Sequence, residues 1–264
     1  MQMNMIERIR PRPGLRVLVT AGASGIGAAI ARAFLDADAR VLICDIDQGS
    51  LARFAKENAA VSTLVTDISD EAQVDTLLDE TADRLGGLDV LVNNAGIAGP
   101  TGSIDELSVE DIRRTFDVDL MGQFLVIRRA AALLRASDAG LILNISSVAG
   151  RLGYALRSPY SAAKWGIVGL TQSLAKEMGP DGIRVNAILP GVVRGARIES
   201  VIRARAEASG CSYDAMERQY LANISLRRMV EPEDIAATAL FLASPGGANI
   251  SGQAISVCGN VENI

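Results

Sequence analysis

Ser147, Tyr160 and Lys164 are the residues of this chain whose types and spacing favour chemistry. Tyr160 and Lys164 stand four apart, so on a helix their side chains share one face, one above the other. A free tyrosine has a pKa near ~10 and is a poor base at neutral pH. An ammonium held nearby favours the phenolate and draws that pKa toward the working range. A hydroxyl such as Ser147, at the carboxyl end of the preceding strand, would hold a substrate oxygen beside the tyrosine. Such a set makes a general acid/base for interconverting an alcohol and a carbonyl compound. It does so without histidine, of which the chain has none. Alone, the Tyr-x-x-x-Lys spacing equally describes an ordinary exposed helix pair, so its weight comes from the elements around it.

Those elements follow from pattern. Residues 141–145 form a short apolar run of the kind a buried parallel strand needs, ending in Ser146-Ser147. Gly150 and Gly153 mark a loop, and Ser158-Pro159 opens a helix with a hydroxyl N-cap and Pro at the first helical position. Near the start, residues 15–20 read as a strand running into Ala21-Gly22-Ala23-Ser24-Gly25-Ile26-Gly27, then an alanine-rich helix through about Ala37. Strand, glycine turn and helix N-terminus gather free N–H groups and a positive dipole end that suit a pyrophosphate. A second strand, residues 40–45, ends in Asp45, followed by Ile46 and Asp47. Asp45 can accept from both ribose hydroxyls of an adenosine and would repel a 2′-phosphate, while Asp47 caps the next helix. No Arg or Lys stands beside Asp45 or just after the glycines, so NAD is preferred over NADP.

A third strand at residues 61–66 leads to Asp67, which could meet an adenine amino group, and to a Ser69-Asp70 cap for a helix over 71–85. A fourth strand, 88–92, closes in Asn93-Asn94-Ala95-Gly96, small residues that let the backbone approach a flat ligand. Ser108 begins one long helix to about Ala136. Further strands are expected at 183–189 and 254–258, with a helix from Pro232 to Ser244 between them. Strands alternating with helices at this rhythm predict one α/β domain, a doubly wound parallel sheet with helices on both faces. Residues 194–226 form a long insertion on the carboxyl-end side, two helical segments joined at Ser209-Gly210, and are expected to be a substrate lid.

Composition narrows the class. The 264 residues are 49% hydrophobic and 22% charged with net charge -5, which argues against nucleic acid as a partner. Three scattered cysteines suggest neither a disulfide framework nor a metal site, and the cytoplasm is the expected compartment. Residues 1–13 contain no apolar core for a signal peptide, and no apolar run approaches membrane-spanning length.

With these features in order, residues 15–259 resemble the short-chain dehydrogenase/reductase family. The resemblance rests on residues 20–27, Asp67-Ile68, Asn93 to Gly96, Asn144 to Ser147, Tyr160-Ser161-Ala162-Ala163-Lys164 and Pro190-Gly191. It implies a seven-stranded sheet and an oligomer, usually a tetramer, built through the long fourth and fifth helices and the last strand. It implies Tyr160 as acid/base, Lys164 as its partner on the nicotinamide ribose, and Ser147 positioning the substrate oxygen. Gly22 to Gly27, including Ser24, Gly25 and Ile26, would cradle the pyrophosphate. Asp45 and Ile46 would meet the adenosine ribose, Asp67 and Ile68 the adenine, and Asn94, Ala95 and Gly96 the neighbouring ribose. Pro190, Gly191 and Val193 would meet the carboxamide.

The chain departs from the family at Ala21, where a shifted turn through Gly22 is expected, and at Asp119, where an asparagine normally supports a proton relay. Gly195 replaces a common threonine, and Cys258-Gly259-Asn260 an acidic ending that bears on assembly. Arg151, Arg157, Arg194 and Arg197 flank the expected site and suggest a polar or anionic hydroxy substrate such as a sugar acid; solvated or intersubunit arginines are the other reading. Two competing functions are a reductase of acyl-chain ketones using NADPH and a non-catalytic cofactor-binding protein.

Overall fold

The computed structural model describes residues 4–261. Residues 1–3 and 262–264 lie outside it. After a one-turn helix α1 (Met5–Arg8), seven strands alternate with helices: β1 (Arg16–Thr20), α2 (Gly25–Asp36), β2 (Arg40–Asp45), α3 (Gln48–Glu57), β3 (Ser62–Val65), α4 (Glu71–Leu85) and β4 (Val90–Asn93). The second half holds α5 (Val109–Phe116), α6 (Gly122–Arg135), β5 (Leu141–Ile145), α7 (Ser158–Met178), β6 (Arg184–Pro190), α8 (Ala196–Ala208), α9 (Tyr213–Ala222), α10 (Pro232–Ala243) and β7 (Ala254–Val257). All pairings are parallel, in the order β3-β2-β1-β4-β5-β6-β7. The order reverses between β1 and β4, and the strand ends there open the crevice where such folds take ligands.

Side-chain alternation along the strands divides the core into two layers. Val17 and Val19 of β1 join α2, α3 and α10 on one face, whereas Leu18 joins α4, α6 and α7 on the other. Phe34 and Phe54 are fully enclosed on the first face; burying each stabilises the fold by ~1.5–3 kcal/mol. A third apolar cluster joins α8 and α9, through Val201, Ile202, Met216 and Tyr220, to Val148 and Val192 beside the strand ends. No helix among the described residues is long and apolar enough to cross a membrane.

Helix starts follow their caps. Asp47 accepts from Gly49 and Ser50 N–H, Asp70 from Ala72 and Gln73, and Ser108 from Asp111. Three local expectations are corrected. Ala21 itself takes the positive φ of 48° at the end of β1, so the turn is not shifted to Gly22. Gly22 is needed for close packing, because a Cβ there would lie 2.6 Å from that of Ile43. The helix expected from Ser108 to Ala136 is interrupted by a π turn at Asp117–Met121, in which Gly122 N–H bonds to Asp117 O. Finally, Ser158 is the first residue of α7 and Arg157, without a side-chain cap bond, is its N-cap.

Asp89, at the entrance to β4, ties three segments together. Its carboxylate accepts from Arg16 N–H, Nε and Nη2 (2.8, 3.0 and 2.6 Å) and from Ser137 Oγ at 2.6 Å. Burial alone would push this acid up; hydrogen bonds from the Arg16 side chain, Ser137 and the Arg16 backbone outweigh it and hold it at about 2. A carboxyl depressed from ~3.9 adds stability that is present above that value and lost as pH falls toward the folded one. Asp89→Asn is therefore expected to cost about 1–3 kcal/mol at pH 7. In urea titrations the gap between wild type and variant should shrink between about pH 4 and 2. A gap that stays constant with pH would assign the loss to packing instead.

Candidate active site

A cleft runs along the strand ends from the start of α2 to α8. Ser24, Gly25 and Ile26 line one end, and Ser147, Tyr160 and Lys164 line its middle. The first helical N–H of α2 that bonds back belongs to Ala28, to Ser24 O at 3.1 Å, and Ser24 makes no side-chain cap bond. The N–H groups of Gly25, Ile26 and Gly27 precede it, at the positive end of the dipole. Gly27 lies beneath this turn: a Cβ there would come within 2.2 Å of Ala21 O and 2.5 Å of Asn94 Nδ2. Asn94 clamps the two strand ends together, its Nδ2 donating to Thr20 O and Ala21 O at 3.0 Å each. A cradle that needs glycine and exposes helix N–H groups fits a pyrophosphate.

The central side chains are positioned by the way α7 docks on the turn after β5. Ser146 Oγ donates to Lys164 O (2.8 Å) and Ser161 Oγ to Ala149 O (2.9 Å). A Cβ on Gly150 would stand 2.6 Å from Lys164 O, so only glycine lets the two segments approach this closely. Ser147 Oγ accepts from Ala149 N–H at 3.1 Å, which leaves its own proton free to donate. Lys164, only 3% exposed, donates from Nζ to Ile145 O at 3.3 Å and lies 5.6 Å from the centre of the Tyr160 ring.

Asp119 sits in the π turn and is fully buried. Its Oδ1 accepts from Ile97 N–H at 2.6 Å, and its Oδ2 faces Lys164 Nζ at 3.8 Å with no hydrogen bond of its own. Burial pushes this acid up more strongly than Lys164, the Ile97 N–H, Arg197 and Arg157 pull it down. Gly96 makes room for the pair, since a Cβ there would lie 3.1 Å from both Asp119 Oδ1 and Lys164 Nζ. Asn94 lines the cleft, with Ala95 and Gly96 following it toward this pair.

At the far side, Pro190, Gly191 and Val193 line the cleft beyond β6. A Cβ on Gly191 would collide with Cys258 at 2.7 Å, so this turn packs directly on the end of β7. Gly195 adopts φ 140°, which disfavours the β-branched residue usual there. The Cys258-Gly259-Asn260 ending holds the end of the 194–226 insertion: Leu226 N–H bonds to Gly259 O and Ser225 N–H to Asn260 O.

The adenosine end is more constrained than expected. Asp45 is not free: its carboxylate accepts from Ala23 N–H (3.3 Å) and Asp47 N–H (3.1 Å), which fixes it beside the glycine turn. Exposed Ile46 follows it. Asp67 Oδ1 accepts from Ser69 N–H and Oγ. The Ile68 side chain is buried against Gly122, so Ile68 offers only backbone to a ligand.

The four arginines separate. Arg151 is corrected: its guanidinium donates to Ser256 Oγ (3.1 Å) and Ala254 O (2.8 Å) on β7, away from the cleft. Arg194 lines the cleft but pairs with Glu231 at 2.9 Å, and exposed Arg197 donates to Gly96 O. Arg157 is buried in the cleft wall, donating to Ala98 O, its guanidinium carbon 4.5 Å from the Tyr160 ring centre and 5.0 Å from that of Tyr154. Cation–π contacts contribute ~0.5–2 kcal/mol each, against a desolvation cost of several kcal/mol per ion. Stacking alone does not offset the burial.

Tyr154 and Tyr220 also line the cleft, joined through their hydroxyls at 2.7 Å, with Arg205 stacked on both rings. Nothing in the local sequence marks them, because the contact spans a loop and the insertion.

The profile of a family described as Enoyl-(Acyl carrier protein) reductase matches residues 20–260. The chain is 38% identical over 245 residues to a cis-4-hydroxycyclohexanecarboxylate dehydrogenase of Sinomonas cyclohexanicum, covering 92% of this chain and 94% of that protein. It is 35% identical over 248 residues to a sorbitol dehydrogenase of Cereibacter sphaeroides, covering 93% and 96%. An actinorhodin polyketide ketoreductase solved with NADPH superposes with TM-score 0.89 at 32% identity, over 95% of this chain and 98% of that one. Levodione reductase gives 0.89 at 30% identity, over 94% and 97%. A profile match over residues 20–260, joined by relatives at 35% and 38% identity, makes this protein a member of the short-chain dehydrogenase/reductase family, an NAD(P)-dependent oxidoreductase that interconverts secondary alcohols and ketones.

Proposed function

We propose that the enzyme uses NAD to oxidise the hydroxyl of a polar substrate, with Tyr160 as general acid/base. The observation that carries this reading is that Ser147, Tyr160 and Lys164 line one cleft together with the open N-terminus of α2. The bound nicotinamide supplies the hydride acceptor in oxidation and the donor in reduction. Tyr160 takes the proton from the substrate hydroxyl as the carbinol carbon loses hydride, and returns it in the reverse direction. Ser147, held by the Ala149 N–H that its Oγ accepts, donates its proton to the same oxygen and orients it. Lys164 puts a positive charge beside the tyrosine and reaches the nicotinamide ribose. Asp119 gives that ammonium a counter-charge while Ile97 N–H holds one carboxylate oxygen.

For the cofactor, residues 22–27 hold the pyrophosphate, and Asp45, flanked by Ile46, takes the adenosine ribose. Asp67 and the Ile68 backbone meet the adenine. Residues 94–96 take the neighbouring ribose, and the backbone of Pro190, Gly191 and Val193 the carboxamide. The preference for NAD rests on Asp45. A carboxylate fixed by Ala23 and Asp47 N–H cannot turn away from a 2′-phosphate, and no basic residue among 21–27 or 44–49 compensates it.

The chain forms one domain in which residues 194–226 close over the substrate, latched by Tyr154 and Tyr220. The named relatives act on polar hydroxy compounds, which supports a substrate of that kind. Exposed Met121, Phe124 and Trp165, on the π turn, α6 and α7, support a homodimer or tetramer through those helices. Three free thiols fit a cytoplasmic setting.

Tyr160→Phe tests the acid/base role: turnover should fall roughly 100- to 10,000-fold while NADH binding, followed by its fluorescence, is retained. Unimpaired turnover would remove the phenol from the mechanism. Asp45→Ser should move the kcat/KM ratio toward NADP by roughly 10- to 100-fold, the worth of removing one close like-charge contact. A ratio that does not move would transfer cofactor choice to another residue.

A further inference from the structure

Arg157 combines properties that packing alone does not require. It is 3% exposed, and among the described residues its charge pairs with no carboxylate. Its Nε is buried with no hydrogen-bond partner. Its one donated bond goes to a neutral carbonyl, that of Ala98. It stands at the N-cap of α7, a 21-residue helix whose dipole disfavours a cation there and favours an anion. It also lines the cleft, with Tyr154 and Tyr160 stacked against it. The rings fix the guanidinium but supply no acceptor. The buried carboxylate of Asp119 is committed to Ile97 N–H and faces Lys164.

The geometry points to Arg157 as the anchor for a carboxylate carried by the substrate, which makes the substrate class hydroxy acids and the corresponding keto acids. This rests on the reading that the hydroxyl reacts at Tyr160. A carboxylate answers each property at once. It pairs bidentately with the planar guanidinium, satisfies the orphaned donor and lies at the positive end of α7. Arg157 and Tyr160 belong to the same helix start, so the anion and the reacting hydroxyl are held at a fixed separation. The other arginines are less suited. Arg151 is spent on β7, Arg194 on Glu231, and exposed Arg197 on Gly96 O.

The test uses short hydroxy acids of differing chain length, each paired with its uncharged carboxamide. Turnover is measured with NAD, and binding to the NADH-loaded enzyme by calorimetry. For the acid of best-fitting length, wild type should favour the acid over its amide by roughly 30- to 100-fold, carried by KM. Arg157→Gln should erase that preference by raising KM for the acid far more than for the amide. Arg157→Lys, which keeps the charge but not the fork, should restore part of it. Wild type that binds and turns over acid and amide equally at every length overturns the inference, whatever the variants do. So does Arg157→Gln that weakens both equally and preserves their ratio, the signature of a packing residue. If amides are oxidised normally without any preference for acids, the anchor falls and the alcohol-oxidising site stands. If acids bind in an Arg157-dependent way yet no compound reduces NAD, the anion site stands and the assignment of Tyr160 falls.

Discussion

The close docking of α7 on the turn after β5 is the constraint on which the site depends. Two serine hydroxyls reach across it, Ser146 to Lys164 O and Ser161 to Ala149 O. Gly150 removes the side chain that would hold the segments apart. Deeper in the same interface, Asn93 Nδ2 donates to Asn144 Oδ1 and Asn144 Nδ2 to Thr171 Oγ1, each at 3.0 Å, tying β4, β5 and α7 together. Buried hydrogen bonds of this kind select one register, even though Asn93 Oδ1 at the end of this chain has no partner. Ser147 and Tyr160 therefore line one cleft because strand, turn and helix are locked, with no need for an interaction between their own side chains.

Electrostatics is concentrated at the same place. Lys164, Asp119 and Arg157 are each nearly or wholly buried and converge on the inner cleft. Removing three charges from water costs far more than a surface ion pair returns. The fold limits the cost by giving Lys164 a carbonyl and a carboxylate, and Asp119 a backbone N–H. Arg157 receives only one carbonyl and two ring faces. Its unmet requirement is the largest, and it faces the space where a ligand would lie.

Much of this organisation was legible in the chain. Short continuous apolar runs and glycine turns locate all seven strands to within about two residues, a margin usual for element ends. Asp47, Asp70 and Ser108 act as the caps their types announce. What escaped depends on contacts that local pattern does not encode. The π turn at Asp119 adds one residue to a helix whose composition looks uninterrupted. Ala21 accepts a left-handed backbone because Gly22 is already committed to packing on Ile43. Arg151 and Arg157 lie six apart in one loop and looked equivalent, yet one turns to β7 and the other enters the cleft.

The 194–226 insertion shows why the distal parts resist sequence reading while the centre does not. Tyr160 and Lys164 are related by the helical repeat, which sequence spacing reports directly. Tyr154 and Tyr220 touch only because α9 folds back over the strand ends, and their contact closes a loop of 66 residues. The same return path brings Leu226 and Ser225 against Gly259 and Asn260, which holds the end of the insertion against the segment after β7. The spacing of Tyr160 and Lys164 is thus readable within one helix, while the contacts around them join segments far apart in the chain.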